Sequence, residues 1–295
     1  MPANFPLYQD LDISFPVFGA VFHAPKLSVA RMEQMIPRHS HGAGCYEIHY
    51  ISDGYGTLLT EGTAYRITPN TLFVTGPHVE HAQIPLANDP MREYCVYLKA
   101  GRRTSRSSDL LNLFTSTRFW FGSDSGQIPD IMEHLFDELA GQQIGWKTQV
   151  ETLLAQLVVS LVRHYSQESV AAAPAGSGNL ADSASLIIEE YFLYHYQDLS
   201  LEELSGMLGL SVRQTERYFA EHYGKTFLQK KIEARMSAAA VLLSDSSRSI
   251  TSIADDLGYS CIEHFSAAFR RYYGVSAREF RKNLQKPVSN LPSSP

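Results

Sequence analysis

Two periods organise the apolar positions of this 295-residue chain. Over about the first hundred residues they come in short blocks, at Tyr46–Ile51, Thr57–Thr60, Ala64–Thr68, Thr71–Thr75 and Tyr94–Lys99, separated by Gly, Pro, Asn and Asp. Strands so closely spaced, with no helical period between them, predict a small antiparallel barrel or jelly roll. From residue 128 onward the period lengthens to three and four residues. Ile128, Ile131, Met132, Leu135, Phe136 and Leu139 predict a helix over 128–140, and Val150, Leu153, Leu154, Leu157, Val158, Leu161 and Val162 predict a second. The second stripe is broader than packing on a barrel requires, so Val150, Leu153, Leu154, Leu157 and Leu161 are candidates for a dimer helix.

Residues 166–180, SQESVAAAPAGSGNL, are rich in Ala, Gly, Ser and Pro and predict a flexible linker. A domain over 1–165 therefore precedes a helical one over 181–286, with a tail over 287–295. The helical part repeats itself after about fifty residues. Gly209 corresponds to Gly258, Phe219 to Phe269, and Tyr223-Gly224 to Tyr273-Gly274.

Each copy reads as a helix-turn-helix. In the first, Ser200 and Glu203 form a capping box, Leu201, Leu204 and Leu208 make a buried face, and Gly209 supplies the left-handed turn. Ser211 caps the next helix with Gln214 at the reciprocal position, and Tyr218 and Phe219 anchor it. That leaves Arg213, Gln214, Glu216 and Arg217 outward, where Arg and Gln can pair with guanine and adenine edges in a major groove. In the second copy Ile250, Ile253, Ala254 and Leu257 are buried, Gly258 turns, Ser260 and Glu263 can cap, and Phe265 and Phe269 anchor. Ile262, Glu263, His264, Ser266, Ala267, Arg270 and Arg271 are candidates for its exposed face. A connecting helix from about Thr226 to Leu243 should hold the two recognition helices one DNA turn apart, roughly 34 Å.

Composition narrows the setting. Hydrophobic residues at 44% and charged residues at 19% suit packed cores, and no apolar run is long enough to cross a bilayer. The N-terminus lacks the basic stretch and apolar core of a signal peptide, and Cys45, Cys95 and Cys261 fit neither a disulfide framework nor a metal knuckle; a cytoplasmic protein is expected. A net charge of −6 excludes a general nucleic-acid coat, yet residues 270–286 carry Arg270, Arg271, Arg278, Arg281, Lys282 and Lys286 against Glu279 alone.

The stretch SITSIADDLGYSCIEHFSAAFRRYYGVSAREFRK, with Gly258-Tyr259, Phe265-Ser266, Phe269-Arg270 and the closing Gly274-Val275-Ser276, resembles the AraC/XylS family of transcriptional regulators; the likeness runs over about 182–285. Two positions depart from the family's pattern. Ala267 stands where an Arg usually follows Phe-Ser, which shifts the expected base reading toward Arg213 and Arg217, and Ala277 stands where a Pro usually follows Gly-Val-Ser. The resemblance implies an α+β chain: a cupin-like β-barrel with two following helices, then an all-α domain of two helix-turn-helix motifs joined by a long helix. It further implies a homodimer that binds double-stranded DNA, responds to a small-molecule effector such as a sugar or sugar derivative, and contacts RNA polymerase.

His39-Ser40-His41, Glu47 and Gly54 resemble a first cupin motif, and Gly76–His81 a second. His39, His41, Glu47 and His49 share odd parity, which places them on one face of a regular strand. His39, His41 and Glu47, with Tyr46, His81 and Tyr97, are candidates for an effector pocket, and Tyr50 and Tyr65 could also line it. No cofactor is expected, with a metal at His39, His41, Glu47 and His81 as the alternative. Three other functions stay in view: a cupin metalloenzyme joined to a DNA-binding module, a regulator whose barrel only dimerises, and a DNA-repair protein. Repair chemistry through a reactive cysteine needs a clustered set, and Cys45 and Cys95 stand alone, so the expectation is a regulator and not an enzyme.

Overall fold

A computed structural model describes residues 7–9, 11–103, 108–124, 126–167, 187–189, 191–192, 195, 200–244 and 248–284. Contacts divide the chain into two compact units, one formed chiefly by Met1–Met35 and Ser40–Leu186, the other chiefly by Ile187–Ala220 and Lys225–Pro295. The expected linker from residue 168 on and the expected tail over 287–295 lie outside the described residues. No helix among the described residues is long and apolar enough to cross a membrane.

The strands are β1 (Leu7–Tyr8), β2 (Ser14–Val17), β3 (Ala20–Met32), β4 (Ile36–His39), β5 (Cys45–Asp53), β6 (Gly56–Thr60), β7 (Thr63–Ile67), β8 (Thr71–Thr75), β9 (His81–Pro85), β10 (Met91–Arg103) and β11 (Phe119–Ser123), all in the first unit except β4, which belongs to the second. The strands of the first unit form two antiparallel sheets, one ordered β1-β3-β10-β5-β8-β11 with β2 on β3, the other containing β9-β6-β7 in that order. All five strands read from the sequence are present. The sequence pattern missed β1 to β4, β9 and β11, whose short or mixed apolar runs give little alternation. The β6–β7 hairpin shows how locally this fold is written: Thr60 pairs with Thr63, and Glu61 and Gly62 between them both take positive φ, 48° and 80°. That is the mirror-image two-residue turn that matches strand twist.

Helices α1 (Asp109–Ser116), α2 (Gln127–Gly141) and α3 (Trp146–Gln167) complete the unit. Strand parity decides what they cover. Tyr46, Ile48 and Tyr50 of β5, Leu72 and Val74 of β8, and Tyr94, Val96 and Leu98 of β10 share one core with residues of all three helices. Val150, Leu154, Leu157 and Leu161 of α3 are fully buried in this core and Leu153 packs against it. The dimer-helix expectation for these five residues is corrected: the broad stripe is wide because α3 packs against α1, α2 and β2 of its own subunit at once.

The second unit holds α4 (Leu201–Met207), α5 (Val212–Tyr223), α6 (Phe227–Ser244), α7 (Ile250–Asp256), α8 (Ile262–Tyr273) and α9 (Ala277–Leu284), preceded by helical residues at 187–189 and 191–192. The repeat holds down to single hydrogen bonds. Gly209 and Gly258 take φ of 64° and 72°. Leu210 N–H donates to Ser205 O at 3.0 Å, and Tyr259 N–H to Ala254 O at 3.0 Å, so both turns close with the same six-to-one bond. Ser200 Oγ accepts from Glu203 N–H at 3.0 Å, but the return arm of the box is relayed: Ser200 N–H donates to Tyr191 Oη at 3.3 Å, and Tyr191 Oη–H to Glu203 Oε2 at 2.8 Å. In the second copy the cap over Ser260 and Glu263 does not form; Cys261 is the N-cap residue of α8 and makes no side-chain cap bond.

Two small cores result. Phe192, Phe219 and Phe227 meet with ring centroids 5.4–5.8 Å apart, over α5. Met236, Leu243, Ile253, Ala254, Leu257, Phe265 and Phe269 form the other, so α6 carries the second core on its C-terminal half. Arg281 Nε–H donates to Leu243 O at 3.2 Å and closes the end of α6.

Candidate nucleic-acid interface and histidine cluster

Helix α5 is sharply two-faced. Thr215, Tyr218 and Phe219 are buried, while Arg213, Gln214, Glu216 and Arg217 are exposed. Thr215 Oγ1 also meets Ser205 Oγ at 2.9 Å, a buried bond that pins α5 to α4. Gln214 is the exception on the exposed face. Its Oε1 accepts from Ser211 N–H at 2.9 Å and from Ser211 Oγ at 2.8 Å, which makes it half of a complete capping box. Gln214 thus fills the reciprocal capping position the sequence predicts for it, through Oε1 alone. Replacing it by Ala is expected to cost about 0.5–2 kcal/mol of stability, read by urea denaturation, with the bound DNA sequence unchanged; a changed base preference would place it among the readers.

On α8, Glu263, His264, Ser266, Ala267, Arg270 and Arg271 are exposed, as expected. Ile262 is a correction, because it packs against the second core. The Glu263 carboxyl is held below its ordinary range by its own backbone N–H and by Cys261. Of the basic run, Arg270, Arg271, Arg278 and Lys282 are exposed, Arg281 is engaged at the end of α6, and Lys286 lies outside the described residues.

The first unit gathers a polar cluster on the face of β5 opposite its helix-covered core. Glu47 Oε2 stands 2.9 Å from His41 Nε2, 3.3 Å from His49 Nε2 and 3.6 Å from His81 Nε2. His41, Glu47 and His81 each offer one ligand atom, all within 4.8 Å of one another, and His39, which the sequence groups with them, belongs to the second unit. Tyr97 lies edge-on to His41 with centroids 5.4 Å apart. Tyr46 does not join them. Its ring packs on Phe114 and its hydroxyl donates to Thr115 O, because even-numbered residues of β5 face the helices. That removes Tyr46 from the effector pocket, and burial pushes its phenol well above the ordinary range. Tyr50 turns the same way, donating to Asn70 Oδ1.

His49, placed on this face by parity, brings in Gln83, Glu93 and Cys95, which the sequence reading did not assign to the cluster. His49 Nδ1 lies 2.8 Å from Glu93 Oε1 and 3.3 Å from Gln83 Nε2, and its ring stacks on Phe73 at 4.3 Å. Register explains the grouping: Cys95 pairs with His49 and Tyr97 with Glu47 across β10 and β5. Burial opposes a charge on His49, but Cys95, Glu93 and Glu47 outweigh it and hold its pKa well above the ordinary value. Burial pushes the Cys95 thiol up to about 11. The signal was present in the polar parity of Glu93, Cys95 and Tyr97 along one strand.

Both halves of the chain match known families. The AraC-like ligand binding domain matches residues 27–158, and a helix-turn-helix domain matches residues 204–283. The chain belongs to the AraC/XylS family. An HTH-type transcriptional activator RhaS from Escherichia fergusonii is 30% identical, over 53% of this chain and 54% of that one. An HTH-type transcriptional regulator from Haemophilus influenzae is 24% identical, over 53% of each. A crystal structure of an AraC-type transcriptional regulator from Chromobacterium violaceum is 29% identical, covers 34% of this chain and 90% of that one, and has a TM-score of 0.33. The chain spans about half the length of the first two relatives. The AraC-like ligand binding domain includes every member of the histidine cluster. One departure from the AraC/XylS pattern now has a reason. Ala277 is the first residue of α9, behind the Ser276 cap, and a first-turn N–H has no helical partner whether or not the residue is proline.

Proposed function

We propose that this chain is a ligand-responsive, sequence-specific DNA-binding regulator of transcription, acting in the cytoplasm and without enzymatic activity of its own. One observation carries the reading. Helix α5 keeps Thr215, Tyr218 and Phe219 in its core and leaves Arg213, Glu216 and Arg217 on a continuous exposed face, and α8 repeats the plan with His264, Ser266 and Arg270. A major groove admits one helix presented in this way, and arginine forks match the O6 and N7 acceptors of guanine. Arg271 and Lys282, exposed beyond the second motif, supply phosphate attraction.

Base reading is assigned mainly to Arg213 and Arg217, with Glu216 beside them, since α8 shows Ala267 on its exposed face. The ligand belongs in the first unit at the histidine cluster, and contact with RNA polymerase belongs to the surfaces the two motifs leave free of DNA. Arg217→Ala should weaken specific binding by about 1–3 kcal/mol and relax the preference at one base position, measured by titrating labelled duplexes that differ at single positions. A uniform loss over all sequences would make Arg217 a phosphate contact.

A further inference from the structure

We infer that Ala267 is a specificity-determining residue of the second motif, selecting thymine at one position of the bound DNA through the C5-methyl group. This rests on the regulator reading above and names the chemistry by which α8 reads a base without the arginine that α5 has at the same place.

The first argument is register. Helices α5 and α8 each run for twelve residues, Val212–Tyr223 and Ile262–Tyr273, so residues fifty apart take equal places. Phe219 and Phe269 are fully buried at the eighth place, and Thr215 and Phe265 at the fourth. An α-helix turns about 100° per residue, so a side chain two places from a buried one points roughly 200° away from it. The sixth place lies two residues from both anchors and therefore points straight away from the core. Arg217 holds it in α5 and Ala267 in α8, and both are exposed.

The second argument is the relief of the exposed face. Glu263 and Arg271 stand one turn to either side of Ala267, with His264 and Arg270 beside it. Two of these longer side chains are held at the start of the helix. His264 Nδ1 lies 3.4 Å from Ser260 Oγ, and the Glu263 carboxylate accepts from its own backbone N–H and from Cys261. A one-carbon side chain among longer ones leaves a depression in the middle of the face. There the helix can come closer to the floor of a groove than α5 can at Arg217.

The third argument is chemical. Base edges in the major groove offer hydrogen-bond donors and acceptors and one apolar projection, the C5-methyl of thymine. Alanine neither donates nor accepts, so its Cβ gains only by meeting that methyl. Set against a guanine or adenine edge it would strip water from polar atoms and return no bond, which costs free energy. Cytosine lacks the methyl and would leave its amino donor unpaired. Place for place, the two motifs then ask for different bases: the fork of Arg217 matches guanine O6 and N7, and the methyl of Ala267 matches thymine.

The test uses the full chain and a site selected from a random DNA pool, in which the element that Arg217→Ala leaves intact is assigned to α8. Each thymine of that element is replaced singly by deoxyuracil, which keeps the base pairing and removes only the methyl. At one of these positions the replacement should weaken binding about fourfold, the worth of one buried methyl group. Ala267→Gly should bind the thymine and uracil duplexes at that position equally. Ala267→Arg keeps a good helix former and should move the preference there from thymine to guanine. Circular dichroism checks that both variants keep their helices, and the uracil series on the unaltered chain needs no variant to fold. An α8 element without thymine overturns the inference, as does one in which no uracil replacement changes affinity, or an equal uracil penalty in Ala267→Gly. A pool that is not enriched at all refutes the regulator reading and the inference with it; an enriched α5 element beside any of those failures refutes the inference alone.

Discussion

Replacing Phe269 by Ala should cost the second helix-turn-helix about 3–5 kcal/mol. The ring is fully buried and stands 5.6 Å from Phe265, 4.7 Å from Tyr273 and 5.4 Å from Phe280, so its removal opens a cavity where α8 and α9 meet. The core around it is small, formed by ten buried side chains among the described residues. Amide exchange should therefore accelerate across α7, α8 and α9 while the strands of the first unit keep their protection. DNA affinity should fall together with helical order, because Ser266 and Arg270 are presented by the helix that loosens. A loss below about 1 kcal/mol would mean that Phe269 does not anchor α8.

Leu157→Ala carries the second large effect, about 2–5 kcal/mol, and it separates two readings of α3. Leu157 is fully buried inside the first unit, with Leu154 and Leu161 on the same stripe. The destabilisation should appear as a lower denaturation midpoint that is the same at low and high protein concentration. If the stripe were a seam between subunits, the variant would change the association constant, and the midpoint would rise with protein concentration.

These cases show where sequence pattern reaches and where it stops. The helix-turn-helix pair was legible because each part has a local cause: a glycine at positive φ, a serine cap and a phenylalanine anchor recur about fifty residues apart, and Gly209 and Gly258 make the same turn. Parity likewise placed Glu47 and His49 on one face of β5. What pattern does not carry is the identity of the covering partner. The α3 stripe has the same spacing whether a sheet or a second subunit lies on it, and only its burial against the first unit decides. Gln214 is open for a related reason: capping and base reading ask for the same residue type at the same place, and its bonds to Ser211 supply the cap that the sequence predicts. The Cys95, Glu93 and Gln83 members of the histidine cluster depend on cross-strand register, which no single strand encodes.

The central claim is that two helices of this chain read DNA sequence together. It is tested most directly by selecting bound duplexes from a random pool with the full chain and sequencing them. The account predicts two enriched elements whose centres lie about 10–10.5 base pairs apart, the element assigned to α5 losing information in Arg217→Ala. A pool that stays unenriched while protein still binds it, with affinity set by salt alone, would contradict the account.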